Sequence, residues 1–300
     1  MDLSGKVAVV TGSGQGLGLA YASALAVSGA AVIVNDVAQE KVDQAVSHIV
    51  EKGGEATGVA VAVGDSEAAD TLVSAALDTH GRLDVMVTNA GILRDKTLWN
   101  MSDEDFDDVI RVHLRGTFTC ARAAAVHFRE AGEGGRLILA GSPAGQRGNF
   151  GQTNYAAAKA GIAAMARTWA MELARAKVTV NAVIPNAVTA MTATVPFLAP
   201  YAELVEKGEQ IPSEVRRAIS FGTAEDCAGL VVYLASDAAS GVTGQCIGIG
   251  GDRLSLWSHP TEVRSVFQDG GWDADDIATV FSTTVGETPE TYGIAPPDFG

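Results

Sequence analysis

Tyr155 and Lys159 stand four residues apart, one helical turn, and Ser142 lies thirteen positions before the tyrosine. These three side-chain types suit proton transfer during interconversion of an alcohol and a carbonyl. Removing hydride from an alcohol carbon leaves a hydroxyl proton that a base must take. An ordinary tyrosine, with a pKa of about 10, is a poor base near neutrality. An ammonium beside it favours the phenolate and lowers that value, and the i,i+4 spacing puts both groups on one helix face. A serine hydroxyl just past a strand end can hydrogen-bond the substrate oxygen and polarise it. A lone Tyr-x-x-x-Lys is common by chance, so the reading depends on its company.

That company begins far upstream. The strand-like run Lys6–Val10 leads into Thr11-Gly12-Ser13-Gly14-Gln15-Gly16-Leu17-Gly18, which opens a helical pattern. Glycines in such a loop let backbone approach a pyrophosphate, and the free amides of a helix N-terminus hold its charge. Gly12, Gln15, Gly16, Leu17 and Gly18 are therefore candidate cofactor contacts. Asp36 ends the next strand-like run, close to the separation of about 20 residues expected for a ribose-binding acid. Its carboxylate can accept from both adenosine ribose hydroxyls and repels a 2′-phosphate. Gln15 and Val37 beside it are neutral, so NAD is expected rather than NADP. Asp65 and Ser66 follow the third strand, where a carboxylate can meet the adenine amino group. Asn89-Ala90-Gly91 follows the fourth, with small residues where backbone must pass under the cofactor.

The elements that must position these groups alternate in type. Strands are expected at Lys6–Thr11, Ala31–Asn35, Ala56–Val61, Leu83–Thr88, Arg136–Ala140, Val178–Val183 and Gln245–Ile249, with Ala-, Leu- and Val-rich helical patterns between them. Alternation of this kind predicts an α/β fold: one doubly wound domain of the Rossmann type with a seven-stranded parallel sheet and helices on both faces. The catalytic domain is expected over residues 1–250. Met191–Ser220 interrupts the rhythm with Pro196, Pro200 and Pro212 and reads as a substrate lid at the carboxyl end of a strand. Its Val195, Phe197, Leu198, Tyr201 and Leu204 would suit an acyl chain or a steroid.

At this point the chain resembles the short-chain dehydrogenase/reductase family over about residues 5–250. Within it, the hydroxyacyl-CoA dehydrogenase branch found in the peroxisomal multifunctional enzyme type 2 of β-oxidation is most similar. The residues carrying that closer likeness are Val112-His113-Leu114-Arg115-Gly116-Thr117-Phe118, Gly148-Asn149-Phe150-Gly151-Gln152-Thr153-Asn154-Tyr155 and Ile184-Pro185-Asn186-Ala187. The resemblance implies Tyr155 as general acid/base, Ser142 as donor to the substrate oxygen, and Lys159 as ribose anchor and modulator of the tyrosine. It implies that Pro185, Asn186, Val188 and Thr189 hold the nicotinamide end, and that the protein forms a homodimer or homotetramer. His113 stands where the family generally has asparagine, whose backbone carbonyl holds a relay water. A backbone role survives that change; a packed core histidine and a side chain in the proton relay both stay open. Pro185-Asn186 replaces the more frequent Pro-Gly.

The implied reaction interconverts a 3-hydroxyacyl-CoA and a 3-oxoacyl-CoA. A hydroxysteroid dehydrogenase, a 3-oxoacyl reductase on the same scaffold and a non-catalytic NAD-binding protein remain alternatives. Arg94, Lys96 and Arg147, in loops at strand ends, are either contacts for coenzyme A phosphates or solvated charge.

Composition narrows the partners. A net charge of −15 disfavours nucleic acid and anionic membrane. Cys120, Cys227 and Cys246 form no C-x-x-C pair and read as buried free thiols, and five scattered histidines lack ligand spacing, so no metal is expected. No apolar run reaches the length of about 20 residues that spans a bilayer. Neither Met1–Lys6 nor Pro297–Gly300 reads as an address, so a cytoplasmic protein is expected. Residues 251–300 are expected to be an extension docked on the body or on a partner subunit. Nine acids against two arginines give that tail a charge of −7, yet it holds Trp257, Phe267, Trp272, Phe281, Tyr292 and Phe299. Disordered tails are poor in aromatics. Asp273 is a candidate cap for a short helix there.

Overall fold

Strands that are apolar on both faces need helices on both, and β1 (Val7–Val10) and β4 (Val85–Thr88) are buried along their whole length. The computed structural model, which describes residues 1–189 and 198–294, satisfies that demand with one central sheet. Its other strands are β2 (Ala31–Asp36), β3 (Glu55–Ala60), β5 (Gly135–Ala140), β6 (Val178–Pro185), β7 (Cys246–Gly250) and β8 (Arg253–Trp257), in the order β3-β2-β1-β4-β5-β6-β7-β8. The first seven are parallel, as expected. β8 is an addition to the expectation: it pairs antiparallel with β7.

One apolar core lies under α1 (Gly16–Val27), α2 (Gln39–Glu51) and α10 (Ala224–Ala235). The other lies under α3 (Ser66–His80), α5 (Gly116–Ala131) and α7 (Thr153–Glu172). Short helices α4 (Asp103–Val109) and α6 (Pro143–Arg147) flank the carboxyl ends of β4 and β5. Strand order reverses between β1 and β4, and the crevice at such a switch point is where doubly wound folds bind ligands. Cys120, Cys227 and Cys246 are free and buried, and burial pushes the Cys120 and Cys227 thiols up to about 12. Among the described residues no helix is long and apolar enough to cross a membrane.

In the segment expected to form a lid, α8 (Ala199–Glu206) and α9 (Ser213–Ala218) build a small core of their own from Leu198, Ile211, Val215 and Phe221, with Tyr201 packed against it. Leu198 and Tyr201 are thus engaged with neighbours rather than presented as an open acyl surface; Leu204 is half-buried, and Val195 and Phe197 lie outside the described residues. After β8 the tail forms α11 (Ala274–Val280), whose Asp273 cap accepts from the Asp276 amide at 2.8 Å. Trp257 packs against the second core, whereas Phe267 and Tyr292 are each 93% exposed.

One buried amide ties the cofactor-side strands together. Asn35, 1% exposed, donates to the Val59 and Val61 carbonyls at 3.1 and 2.9 Å and accepts from the Gly12 amide at 3.4 Å. Losing it strands three backbone groups, each costing about 1 kcal/mol or more. Asn35→Ala is expected to lower stability in urea by about 3 kcal/mol. An unchanged midpoint would contradict this role.

Candidate active site

The glycine loop is built by close approach. A Cβ at Gly12 would meet Ala90 Cα at 2.6 Å, and one at Gly18 would meet the Gly12 oxygen at 2.1 Å. Gly16, by contrast, turns with φ +58° into open space, and among the described residues no side chain caps the α1 amides that follow Gln15. An open cradle above uncapped amides is what a pyrophosphate needs. The loop is pinned to β4 from below. The Thr11 hydroxyl accepts from the Asn89 and Ala90 amides at 2.9 and 3.1 Å, and the Asn89 side chain donates to the Thr11 and Gly12 carbonyls at 3.2 and 3.1 Å. Asn89 and Ala90 thus sit under the loop. Leu17 packs into the first core.

Asp36 reaches the same crevice from the end of β2. A Cβ on Gly14 would meet its carboxylate at 2.7 Å and the Lys41 Cβ at 2.9 Å. One carboxylate oxygen accepts from the Val37 amide at 2.8 Å. Lys41 was invisible to neighbour-by-neighbour reading: it is brought to Gly14 only by the turn of α2, one helical turn beyond the strand. Asp65 caps α3, accepting from the Ala68 amide at 3.0 Å, and the Ser66 hydroxyl accepts from Arg122 at 2.7 Å.

The three chemical residues converge at the carboxyl end of β5. Ser142 caps α6, its hydroxyl accepting from the Ala144 amide at 3.2 Å. The first turn of α7 is fixed by Asn154, which is fully buried. Its side chain donates to the Arg94 and Asp105 carbonyls at 3.1 and 2.9 Å and accepts from the Tyr155 amide at 2.7 Å. Asn154 is a positioning residue the sequence reading passed over. One turn on, the Lys159 ammonium lies 5.6 Å from the centroid of the Tyr155 ring and donates to the Ala140 carbonyl at 2.5 Å. Burial lowers the Lys159 pKa to about 7.

Tyr155 departs from the expected direction. Burial pushes its phenol above the ordinary value; a hydrogen bond with Ser142 opposes this, and the Asp95 carboxylate adds to the rise. Burial sets the direction, because it disfavours the charged phenolate.

His113 is buried in a π-helical stretch, Ile110–Arg115, between α4 and α5. Its Nε2 lies 3.0 Å from the Ile92 amide and 2.8 Å from the Ile92 carbonyl, and its ring stands edge-on to Tyr155 with centroids 5.1 Å apart. Among the described residues the Nδ1 atom has no hydrogen-bond partner. Gly91 leaves the ring its room: a Cβ there would meet His113 Cε1 at 2.2 Å. Burial first, and the Lys159 charge second, lower the imidazole pKa to about 3.

Beyond β6, the Asn186 side chain donates to the Ile219 carbonyl at 2.5 Å and its amide to the Ile249 carbonyl at 2.9 Å. The Val188 amide donates to the Gly222 carbonyl at 2.7 Å. Pro185 ends β6 beside these groups, and Thr189 follows them. The three loop cations are all engaged. Lys96 pairs with Asp105 at 2.6 Å and helps hold that carboxyl at about 2. Arg94 lies 4.0 Å from Asp108. Arg147 donates to the Thr291 hydroxyl and the Gly293 carbonyl at 2.7 and 2.9 Å, so the tail lies across it.

Comparison with known proteins shows the family to which the chain belongs. The short chain dehydrogenase family profile matches residues 6–196. A protein of Mycobacterium tuberculosis named hydroxyacyl-CoA dehydrogenase ChsB1 is 43% identical over 303 aligned positions, covering 96% of this chain and 92% of that one. The mouse peroxisomal multifunctional enzyme type 2 is 47% identical over 205 positions, which is 65% of this chain but only 27% of the mouse protein. The 3-oxoacyl-[acyl-carrier-protein] reductase FabG of Thermotoga maritima is 39% identical, across 84% of this chain and 98% of its own length. In three dimensions, a crystal structure of a short chain dehydrogenase from Mycobacterium avium superposes with a TM-score of 0.84 at 33% identity, covering 99% of this chain and all of that one.

The His113 environment makes a direct prediction. With a folded pKa near 3 against 6.5 for the free group, the imidazole is neutral across the working range, and the unfolded chain binds its proton first as pH falls. The stability contribution is therefore complete above about pH 6.5 and is lost as pH drops toward about 3. NMR titration should show no His113 charge change above about pH 5. A titration near 6.5 would contradict the buried, neutral assignment.

Proposed function

The chain belongs to the short-chain dehydrogenase/reductase family and is an oxidoreductase enzyme; on that premise we propose that it is an NAD-dependent dehydrogenase acting on a 3-hydroxyacyl-CoA. The family uses nicotinamide dinucleotides; the preference for NAD rests on Asp36, whose carboxylate stands against Gly14 at the ribose end of the loop. The open cradle at Gly16 and the uncapped start of α1 fit such a dinucleotide. When bound, its nicotinamide accepts hydride from the alcohol carbon.

The observation that carries the reading is the convergence of Ser142, Tyr155 and Lys159 at the carboxyl end of β5. Tyr155 takes the alcohol proton at its phenol oxygen. Ser142 holds the substrate oxygen and, through its hydrogen bond to the phenol, favours the phenolate. Lys159 steadies the developing phenolate charge from the same helix face and anchors the nicotinamide ribose. Asn89, Ala90 and Gly91 floor the cofactor, Asp65 and Ser66 border its adenine, and Pro185, Asn186, Val188 and Thr189 meet its nicotinamide half. His113 acts by packing against Tyr155 rather than by titrating.

A coenzyme A thioester is favoured because the mycobacterial relative carries that chemistry in its name. Reduction of a 3-oxoacyl carrier-protein substrate is the second reading, favoured by the near-complete match to the reductase of T. maritima; a net charge of −15 gives no long-range attraction to an acidic carrier. Residues 1–250 form the catalytic domain in this reading, with residues 251–300 an extension. Leu254 and Leu256, 68% and 67% exposed on β8, suit a homodimer or homotetramer, and three buried free thiols suit a cytoplasmic location.

Tyr155→Phe is expected to leave NADH binding unchanged while lowering kcat by about a thousandfold, since it removes only the acid/base group. A near-normal rate would overturn the assignment. A panel of (3R)-hydroxyacyl-CoAs, acyl-carrier substrates and hydroxysteroids, each run with NAD and NADP, separates the readings. The expected winner is an acyl-CoA with NAD, by at least about tenfold over NADP, a difference of about 1.4 kcal/mol. NADP equal to or better than NAD would refute the Asp36 argument.

A further inference from the structure

Three segments distant in sequence meet at the turn between β7 and β8. Gly250 is so tightly placed that a Cβ would meet the Ser220 and Asn186 oxygens at 2.1 and 2.2 Å, and one on Gly251 would meet the Arg216 oxygen at 2.6 Å. The side chain that joins them is Arg216, on the last turn of lid helix α9. Its guanidinium donates two bonds to Asp226, at 2.9 and 3.1 Å, and one to Asp252 at 2.7 Å. Asp226 belongs to the capping box at the start of α10, where it also accepts from the Thr223 amide at 2.7 Å. Asp252 lies in the β7–β8 turn, and its amide donates back to the Arg216 carbonyl at 3.3 Å. The Arg216 and Asp226 side chains are each 23% exposed and Asp252 is 35% exposed, and the Asp226 contact is two-armed, unlike a loose surface pair.

The bonds that leave this cluster lead to the nicotinamide side of the site. Three residues past Arg216, the Ile219 carbonyl accepts the Asn186 side chain, and the Gly222 carbonyl accepts the Val188 amide. Between them Ser220 is held at φ +58°, a left-handed conformation that a non-glycine residue keeps only where its surroundings enforce it. We propose that Arg216 is a positioning residue: it clamps the C-terminal hairpin and the first turn of α10 to the lid, and through Ile219 and Gly222 it fixes the Asn186–Val188 segment against the nicotinamide half of the cofactor. The proposal rests on the reading of Asn186 and Val188 as cofactor contacts. It also gives the start of the tail a task, since Asp252 belongs to the clamp.

The test compares two probes that share an adenine half. NADH and ADP-ribose are titrated into wild-type protein, Arg216→Met and the milder Asp252→Asn, which keeps the Arg216–Asp226 pair and the α10 cap. The dissociation constant for NADH is expected to rise at least about tenfold in Arg216→Met and about threefold in Asp252→Asn. That for ADP-ribose should stay within about twofold in both. Arg216→Lys keeps the charge but not the two-armed geometry, and should recover less than half of the loss. If Arg216→Met does not fold, Asp252→Asn alone decides. Unchanged NADH binding in the folded variants, or NADH and ADP-ribose weakening together as in general loosening, overturns the proposal. A wild-type protein that binds ADP-ribose but not NADH would sink the cofactor reading instead, which keeps the two failures apart.

Discussion

A single ammonium is buried at the centre of this molecule. Lys159 is 4% exposed, and among the described residues its one hydrogen-bond partner is the Ala140 carbonyl at the end of β5. Burial of that kind is expensive, and it shows in a pKa lowered to about 7. It is tolerated because α7 packs so closely on α6 that a Cβ at Gly145 would strike the Lys159 backbone at 2.5 Å. Those contacts fix where α7 begins, Asn154 locks its first turn, and together they decide where the Tyr155 phenol stands. The Ser142 hydroxyl, at the start of α6, is placed by the same packing. A lysine free in solvent could not serve this way, because its long chain would sample many rotamers.

The electrostatics of the site follow from that arrangement. Burial opposes the phenolate at Tyr155 and opposes the cation at Lys159. His113, pushed far below its ordinary value, supplies an apolar wall and not a third charge. Several acids around the site are paired: Asp105 and Asp108 are matched to Lys96 and Arg94, and Asp226 and Asp252 to Arg216, while Asp95 bears on Tyr155.

Most of the scaffold was legible in the sequence because it depends on local pattern. Each of the seven parallel strands starts and ends within two residues of its apolar run, and the glycine loop, Asp36 and the Ser142/Tyr155/Lys159 set lie where spacing put them. What was not legible depends on contacts between distant segments. Lys41 reaches Gly14 only through the path of α2. Asn35 looks like an ordinary strand residue until β3 and the glycine loop close around it. The rise in the Tyr155 pKa comes from burial, which no spacing reveals. The cations Arg94, Lys96 and Arg147 looked available for phosphate because their partners, Asp108, Asp105 and the tail at Thr291–Gly293, come from elsewhere in the chain. β8 is different: Gly251-Asp252 between an apolar run and the alternating Arg253-Leu254-Ser255-Leu256-Trp257 is a two-residue hairpin signal that the sequence did carry.

The measurement that bears most directly on the account is a crystal structure of the protein with NAD and a bound substrate or inert ketone analogue. The account predicts that the Tyr155 and Ser142 hydroxyls both hydrogen-bond the substrate oxygen, with the reacting carbon about 3.5 Å from the nicotinamide C4. A substrate oxygen held by other groups, or a nicotinamide ring seated away from the carboxyl end of β5, would contradict it.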